Sequence, residues 1–201
     1  MVDLERVQAM PLSADPPARE VIEPEDDALM LAYGDGDMAA FDTLYGRYRA
    51  PMWRFFVRQA DPATASECQQ EVWLRVVQQA PRYRARGRFR SWLFAIVHNV
   101  LVDRQRRDTV RLVEPLTEDQ PESVTQNPGP AERAEQGQLA GALLALIAAL
   151  PLVQREALLL REEANLTLAE IAQATDTSAE TAKSRLRYAM QKLRAGMNEH
   201  V

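Results

Sequence analysis

Residues 113 to 133, VEPLTEDQPESVTQNPGPAER, place the tightest limit on how this chain folds. Four prolines, a glycine and an excess of acids leave too few apolar side chains to bury and too few free backbone donors for helix or sheet. The stretch 112–136 therefore reads as a flexible acidic linker, and the sequence on each side must build its own small core. Short units do so most readily with helices. Leu, Ala, Gln, Glu and Arg are plentiful, and aromatic residues are only 6% of the chain. The expected fold class is all-α: two small helical domains joined by a linker.

Residues 1–24 carry four prolines and many acids without periodicity, and read as an acidic disordered tail. From 25 to 111 the pattern is helical. A short helix ends near Tyr33, before GDG. Asp37 caps the next, in which Phe41, Leu44, Tyr45, Tyr48 and Met52 recur at three- and four-residue steps. Pro51 is expected to bend or restart it. Asp61 and Pro62 open a third helix, an acceptor followed by a residue with no N–H to satisfy. Val72, Trp73, Val76 and Val77 form its expected buried side. PRYRARGRFR breaks it, and SWLFAIVHNVLVDRQRR makes a fourth. The second domain, 137–201, reads as two apolar helices, then a short helix, a tight turn and a longer basic helix.

The net charge of −5 argues against simple nucleic-acid binding, but the charge is segregated. The first 27 residues carry eight acids against Arg6 and Arg19. Residues 82–111 carry nine arginines against Asp103 and Asp108, and Lys183 to Arg194 carries five bases and no acid. Two basic islands in an acidic chain suggest two contacts with a polyanion. One cysteine excludes an internal disulfide, and with two histidines it leaves no expected metal cluster. No cofactor is expected, and no phosphate loop or nucleophile–base pair suggests an enzyme. LAGALLALIAALPLV is short for a bilayer and interrupted by Gly141 and Pro151. No signal peptide is legible. A cytoplasmic protein without membrane contact is expected.

Each basic island has a plausible shape. Near the C-terminus, Leu168, Ile171 and Ala172 face Ala182, Leu186 and Met190 across a turn where Asp176 tolerates a left-handed backbone and Ser178 caps the next helix. That is helix-turn-helix spacing. The second helix then offers Ser178, Glu180, Thr181, Lys183, Ser184, Arg185 and Arg187 to base edges and phosphates. The earlier island interleaves Arg84, Arg86, Arg88 and Arg90 with aromatics. Phe89, Trp92, Phe94 and Ile96 serve either a core or unstacked bases. His98, Asn99, Asp103, Arg106 and Arg107 continue along that helix.

Together, GDMAAFDTLYGRYRAPMWRF, QEVWLRV, FRSWLFAIVHNVLVDRQRR, LPLVQREALLLRE and LTLAEIAQATDTSAETAKSRLRYAMQKLR resemble a bacterial sigma factor of the extracytoplasmic-function (ECF) class, in its order and spacing. Residues 25–111 resemble sigma region 2 and 137–196 region 4. The resemblance implies binding to core RNA polymerase through its largest-subunit clamp coiled coil and its flap. It further implies reading of a −35 element by Ser178 to Arg187, and recognition and opening of a −10 element by the arginine loop, Trp92, Asn99 and Asp103. Catalysis would belong to the polymerase. The docking helix departs from the family pattern. Where two acids are usual, TASE places Thr64 and Ser66, leaving Glu67, Gln70 and Glu71 to meet the clamp. Phosphorylation of Thr64 or Ser66 by a Ser/Thr kinase would restore the missing charge; an anti-sigma factor is the other expected regulator. A helix-turn-helix regulator, or a sigma-like adaptor that forms no holoenzyme, is the competing reading.

Overall fold

The computed structural model describes residues 23–111 and 131–198, with side chains over 26–107 and 139–198. Most of the expected acidic tail and most of the expected linker lie outside the described residues; the tail's last two positions, Glu23 and Pro24, belong to the first helix. Eight α-helices and one 3-10 turn account for the described secondary structure, and no strand occurs among the described residues. The helices are α1 Glu23–Gly34, α2 Met38–Val57, α3 Pro62–Gln79, α4 Phe89–Arg111, α5 Ala131–Ala148, α6 Leu152–Glu162, α7 Leu168–Ala174 and α8 Ala179–Asn198. The turn, Ala80–Arg82, follows α3.

Local chemistry explains several of the boundaries. Asp37 accepts from the Ala39 and Ala40 N–H groups and starts α2. Asp61 does the same for Ala63 and Thr64 and starts α3, with Pro62 in its first turn. These side chains satisfy donors that a helix start leaves free. Thr167 and Glu170 bond reciprocally to each other's backbone N–H groups at the start of α7. Pro51 neither breaks nor restarts α2, which runs through it unbroken. Met52, Phe55 and Phe56, just beyond it, have no exposed surface, so burial offsets the backbone bond that proline cannot make. α5 begins at Ala131, inside the stretch expected to be linker, because AERAEQGQLAG is made mostly of good helix formers.

α1 to α4 pack around Met30, Leu44, Met52, Phe55, Phe56, Phe89, Leu93 and Phe94, all completely buried. α5 to α8 pack around Leu143, Ile147, Leu159, Leu160 and Leu193. α5 crosses α8 so closely that a Cβ on Gly196 would collide with the Leu146 side chain. The two units do not stand apart: α4 packs against α7, and their buried side chains form one continuous cluster. On α3, Val72, Trp73 and Val76 are buried as expected, but Val77 is not. It is 43% exposed, beside Leu74 at 57%, because its position has rotated off the stripe that meets α2 and α4.

Candidate nucleic-acid interface

The arginine loop runs from Tyr83 to the start of α4 at Phe89. Gly87 takes a left-handed backbone (φ 65°) that turns the chain back toward α4. Beneath it, Tyr83, Phe89 and Trp92 form an aromatic cluster with ring centroids 4.9–6.0 Å apart. Asp27 of α1 fastens the loop from below. Its Oδ1 accepts from the Tyr83 hydroxyl at 2.5 Å and the Arg86 N–H at 3.1 Å, and its Oδ2 from the Phe89 N–H at 3.4 Å. Burial, then the Asp27 carboxylate, pushes the Tyr83 hydroxyl well above its ordinary range, so it stays a donor.

Above this base lies a cavity of about 630 Å³ lined by Arg82, Arg84, Arg86, Arg88, Trp92 and, from α7, Gln173, among others. Arg84, Arg86 and Arg88 are exposed, and Trp92 is half-buried. Four expected residues, three arginines and the planar Trp92, therefore share one pocket. Arg90 does not join them. Its Nε lies 3.5 Å from the Tyr48 hydroxyl, and it lines a second cavity with Asp26 and Arg47. Asp26, 1% exposed, pairs with Arg47 and accepts from the Tyr48 hydroxyl at 2.5 Å. Burial, partly offset by Arg90 and reinforced by Asp26, pushes Tyr48 up to about 12.

Along α4, Asn99, Arg106 and Arg107 are exposed. Asp103 is engaged: it accepts from Arg75 at 3.0 Å, which also holds Glu71 at 2.8 Å. Burial opposes the Arg75 charge, but these two carboxylates carry its pKa above the ordinary value. His98 does not face open solvent; its Nδ1 lies 2.6 Å from Glu156 of α6.

The second basic island is a helix-turn-helix formed by α7 and α8. Asp176 adopts the expected left-handed backbone (φ 49°). The Thr177 N–H returns to the Ala172 carbonyl at 2.9 Å, and Ser178 Oγ accepts from the Thr181 N–H at 3.0 Å. Ala182, Leu186 and Met190 are buried against α7 and its neighbours. Ser178, Glu180, Lys183 and Arg187 are exposed, while Thr181, Ser184 and Arg185 are half-buried. All seven expected residues thus lie at the start of one helix, where a major groove can receive them.

On α3, Glu67, Gln70, Leu74 and Val77 share one face by their three- and four-residue spacing. Glu67 and Gln70 are exposed, and Glu71 is held by Arg75. Arg104 of α4 donates to Glu67 at 2.7 Å and to Thr64 Oγ1 at 3.3 Å. The Asp61 carboxyl is held below its ordinary value, first because the Thr64 side chain bonds it and then because the Thr64 N–H does. Ser66 is exposed, and Cys68 is buried.

Ion pairs join the two units. Glu163, at the end of α6, has only 5% of its side chain exposed and pairs with both Arg54 and Arg58 of α2, the former at 2.5 Å. Arg155 donates to the Arg58 carbonyl at 3.4 Å. Arg88 of the loop donates to Gln173 at 3.5 Å. Asp26, Asp27, Tyr83, Glu156 and Glu163 were all outside the sequence-based site, because no spacing marks a buried acid and its distant partner.

Residues 44–111 match the family described as Sigma-70 region 2, and residues 140–193 match Sigma-70, region 4. The chain is 32% identical over 174 residues to the ECF RNA polymerase sigma factor RpoE of Cereibacter sphaeroides, covering 85% of this chain and 94% of that one. It is 28% identical to SigE of Mycolicibacterium smegmatis, covering 89% and 72%. Against SigC of Mycobacterium tuberculosis it is 33% identical, but the match spans only 39% of this chain and 43% of that one. Two solved structures share the fold. CnrH in complex with the cytosolic domain of CnrY matches with TM-score 0.63 and 19% identity, covering 88% of this chain and 99% of that one. RpoE in complex with the anti-sigma factor NepR from Bartonella quintana matches with TM-score 0.62 and 15% identity, covering 79% and 96%. Two basic surfaces on one helical frame, each within its own sigma region, and a relative matched over nearly its full length, lead to one conclusion: the chain belongs to the extracytoplasmic-function family of RNA polymerase sigma factors.

Proposed function

We propose that the chain binds core RNA polymerase, carries it to promoters and helps to open them. The observation that carries this reading is the pocket under the arginine loop, on the same chain as a helix-turn-helix. Exposed guanidinium groups hold a strand's phosphates while Trp92 and its aromatic neighbours shelter an unstacked base. Extruding a base costs a few kcal/mol, which such a pocket offsets. Ser178 to Arg187 read the −35 element as duplex, and the loop with Asn99 reads the −10 element as single strand. Glu67, Gln70, Leu74 and Val77 dock on the clamp coiled coil, and the second domain meets the flap.

Elements about 25 base pairs apart are separated by roughly 85 Å along the duplex at 3.4 Å per step. With α7 packed on α4, the two units must part before both elements are bound. Regulation acts on the same surfaces. Phosphate on Thr64 would sit beside Arg104 and the first N–H groups of α3, restoring charge where the docking face lacks it. Asp61 opposes this from the cap, so Ser66, in the open, is the second acceptor. An anti-sigma factor covering these faces is the other form of control; the structurally similar RpoE from Bartonella quintana is bound to the anti-sigma factor NepR.

The test is competitive binding to purified core polymerase of the unmodified chain, Thr64→Glu and Ser66→Glu. Tight binding by the unmodified chain supports the sigma reading and removes the need for phosphate. Binding by an acidic variant alone supports both. If none binds, a chain phosphorylated at Thr64 or Ser66 is tested; failure there too refutes the reading.

A further inference from the structure

Two neighbouring acids of α1 serve different partners. Asp26 meets α2, whereas Asp27, 4% exposed, accepts hydrogen bonds from the arginine loop and the start of α4. The loop needs such a partner. Five arginines lie between residues 82 and 90, and their mutual repulsion favours an extended, open loop. Gly87, with its left-handed backbone, adds a residue of high freedom. Against both tendencies stands one buried carboxylate, which takes a hydrogen bond from Tyr83 at the loop's start, from Arg86 at its middle and from Phe89 at its end.

We infer that Asp27 is the positioning residue of this interface: it holds the arginine loop in the shape that receives an extruded base, without touching the base itself. The inference rests on the proposed reading of the loop. The carboxylate geometry is specific. Both oxygens face backbone N–H groups, Arg86 on one side and Phe89 on the other. An asparagine in the same place has one acceptor and one donor, so either orientation of the amide sets an NH₂ against one of those N–H groups. Asp27→Asn therefore loses a loop anchor as well as the charge that balances the arginines. Asp26→Asn removes an equally buried acid while leaving the loop backbone untouched.

The experiment uses the full chain, alone and assembled with core polymerase. Amide hydrogen exchange is followed at Arg86 and Phe89, and the holoenzyme is presented with a random pool of single-stranded DNA 12-mers whose retained members are sequenced. For Asp27→Asn, exchange at one or both amides rises at least tenfold and the retained 12-mers lose preference at one position. Affinity for core polymerase stays within twofold, and Asp26→Asn keeps both the protection and the preference. Protected amides in Asp27→Asn overturn the inference, as does faster exchange with base preference unchanged. Should Asp27→Asn not fold, Asp27→Glu decides: it keeps the charge but displaces the loop, and an unaltered preference overturns the inference. If the wild-type holoenzyme itself retains no preferred 12-mer, the reading of the loop has failed, and the inference falls with it; that failure is recognisable because it precedes any substitution.

Discussion

Glu163 is the side chain whose removal should open the molecule. In the packed arrangement its carboxylate is 5% exposed and holds Arg58, itself 13% exposed, together with Arg54, at 39%. Burial, and then the neighbouring Arg54 charge, lowers the Arg58 pKa, so without Glu163 the Arg58 charge is poorly compensated. Breaking one side of a fully buried pair costs about 3–5 kcal/mol; an exposed pair contributes only about 0.2–1 kcal/mol. With one partner at each extreme, Glu163→Gln should destabilise the packed form by about 2–4 kcal/mol relative to a form in which both units are solvated. That shifts the packed–open equilibrium by roughly thirty- to several-hundred-fold, at about 1.4 kcal/mol per tenfold.

Small-angle scattering reads this directly. Wild type and Glu163→Gln carry the same termini and the same segment between their units, so a difference in radius of gyration reports separation of the units. Wild type should be the smaller at low salt, and Glu163→Gln should expand while each unit keeps its helicity. Gln173 then leaves the rim of the arginine pocket, and binding of single-stranded DNA should rise. Identical scattering curves would refute the reasoning in either form: both compact means that apolar packing of α4 on α7 holds the units without the ion pair, and both expanded means that the pair holds nothing.

Two further substitutions test local claims. The Asp61 carboxyl is held below its ordinary value, so its charged cap contributes stability that is fully present above the unfolded value near 3.8 and is lost as pH falls through the folded value beneath it. Thermal unfolding should separate wild type from Asp61→Asn by a constant amount above about pH 5, no more than about 1 kcal/mol for an exposed cap. The two should converge below pH 3.8; a gap that widens on acidification would be wrong for this sign. At the turn of the helix-turn-helix, Asp176→Gly should raise the unfolding midpoint and Asp176→Val should lower it by about 2–8 °C, since a left-handed backbone costs a β-branched residue about 1–2 kcal/mol. A Val variant as stable as wild type would show that the turn relaxes.

Much of this fold is legible because its signals are local. Asp37 and Asp61 cap the helices that follow them, Asp176 occupies the left-handed turn, and Ser178 caps α8, each from chemistry contained within four residues. The helix-turn-helix surface follows from the same short-range pattern. Thr167 and Glu170 are also legible as a capping pair, three residues apart. Two stretches misled for a physical reason. Pro51 reads as a bend or restart because sequence shows the lost hydrogen bond but not the burial of Phe55 and Phe56 that keeps the helix continuous through it. Val77 reads as core because an apolar residue next to Val76 looks continuous with it, although the next helical step turns it toward solvent and the proposed docking face.

The interface was legible in its bases and illegible in its acids, and the asymmetry has a cause. Arginines that meet DNA must be exposed and clustered, so they are clustered in sequence as well. The carboxylates that shape their loop act from the core, and a core joins residues by distance in space. Asp27 lies 62 positions from Phe89, and Glu163 lies 105 from Arg58. In composition Asp26 and Asp27 merge with the acidic tail before them, where eight acids in 27 residues look like one solvated run. Burial separates them from it. A buried carboxylate is costly unless donors surround it; Asp26 has found its donors on α2, and Asp27 has found its own on the arginine loop and the start of α4, which carry the proposed DNA contacts. The negative charge that made the chain look unsuited to nucleic acid is therefore, at Asp27, part of what holds the positive surface in shape.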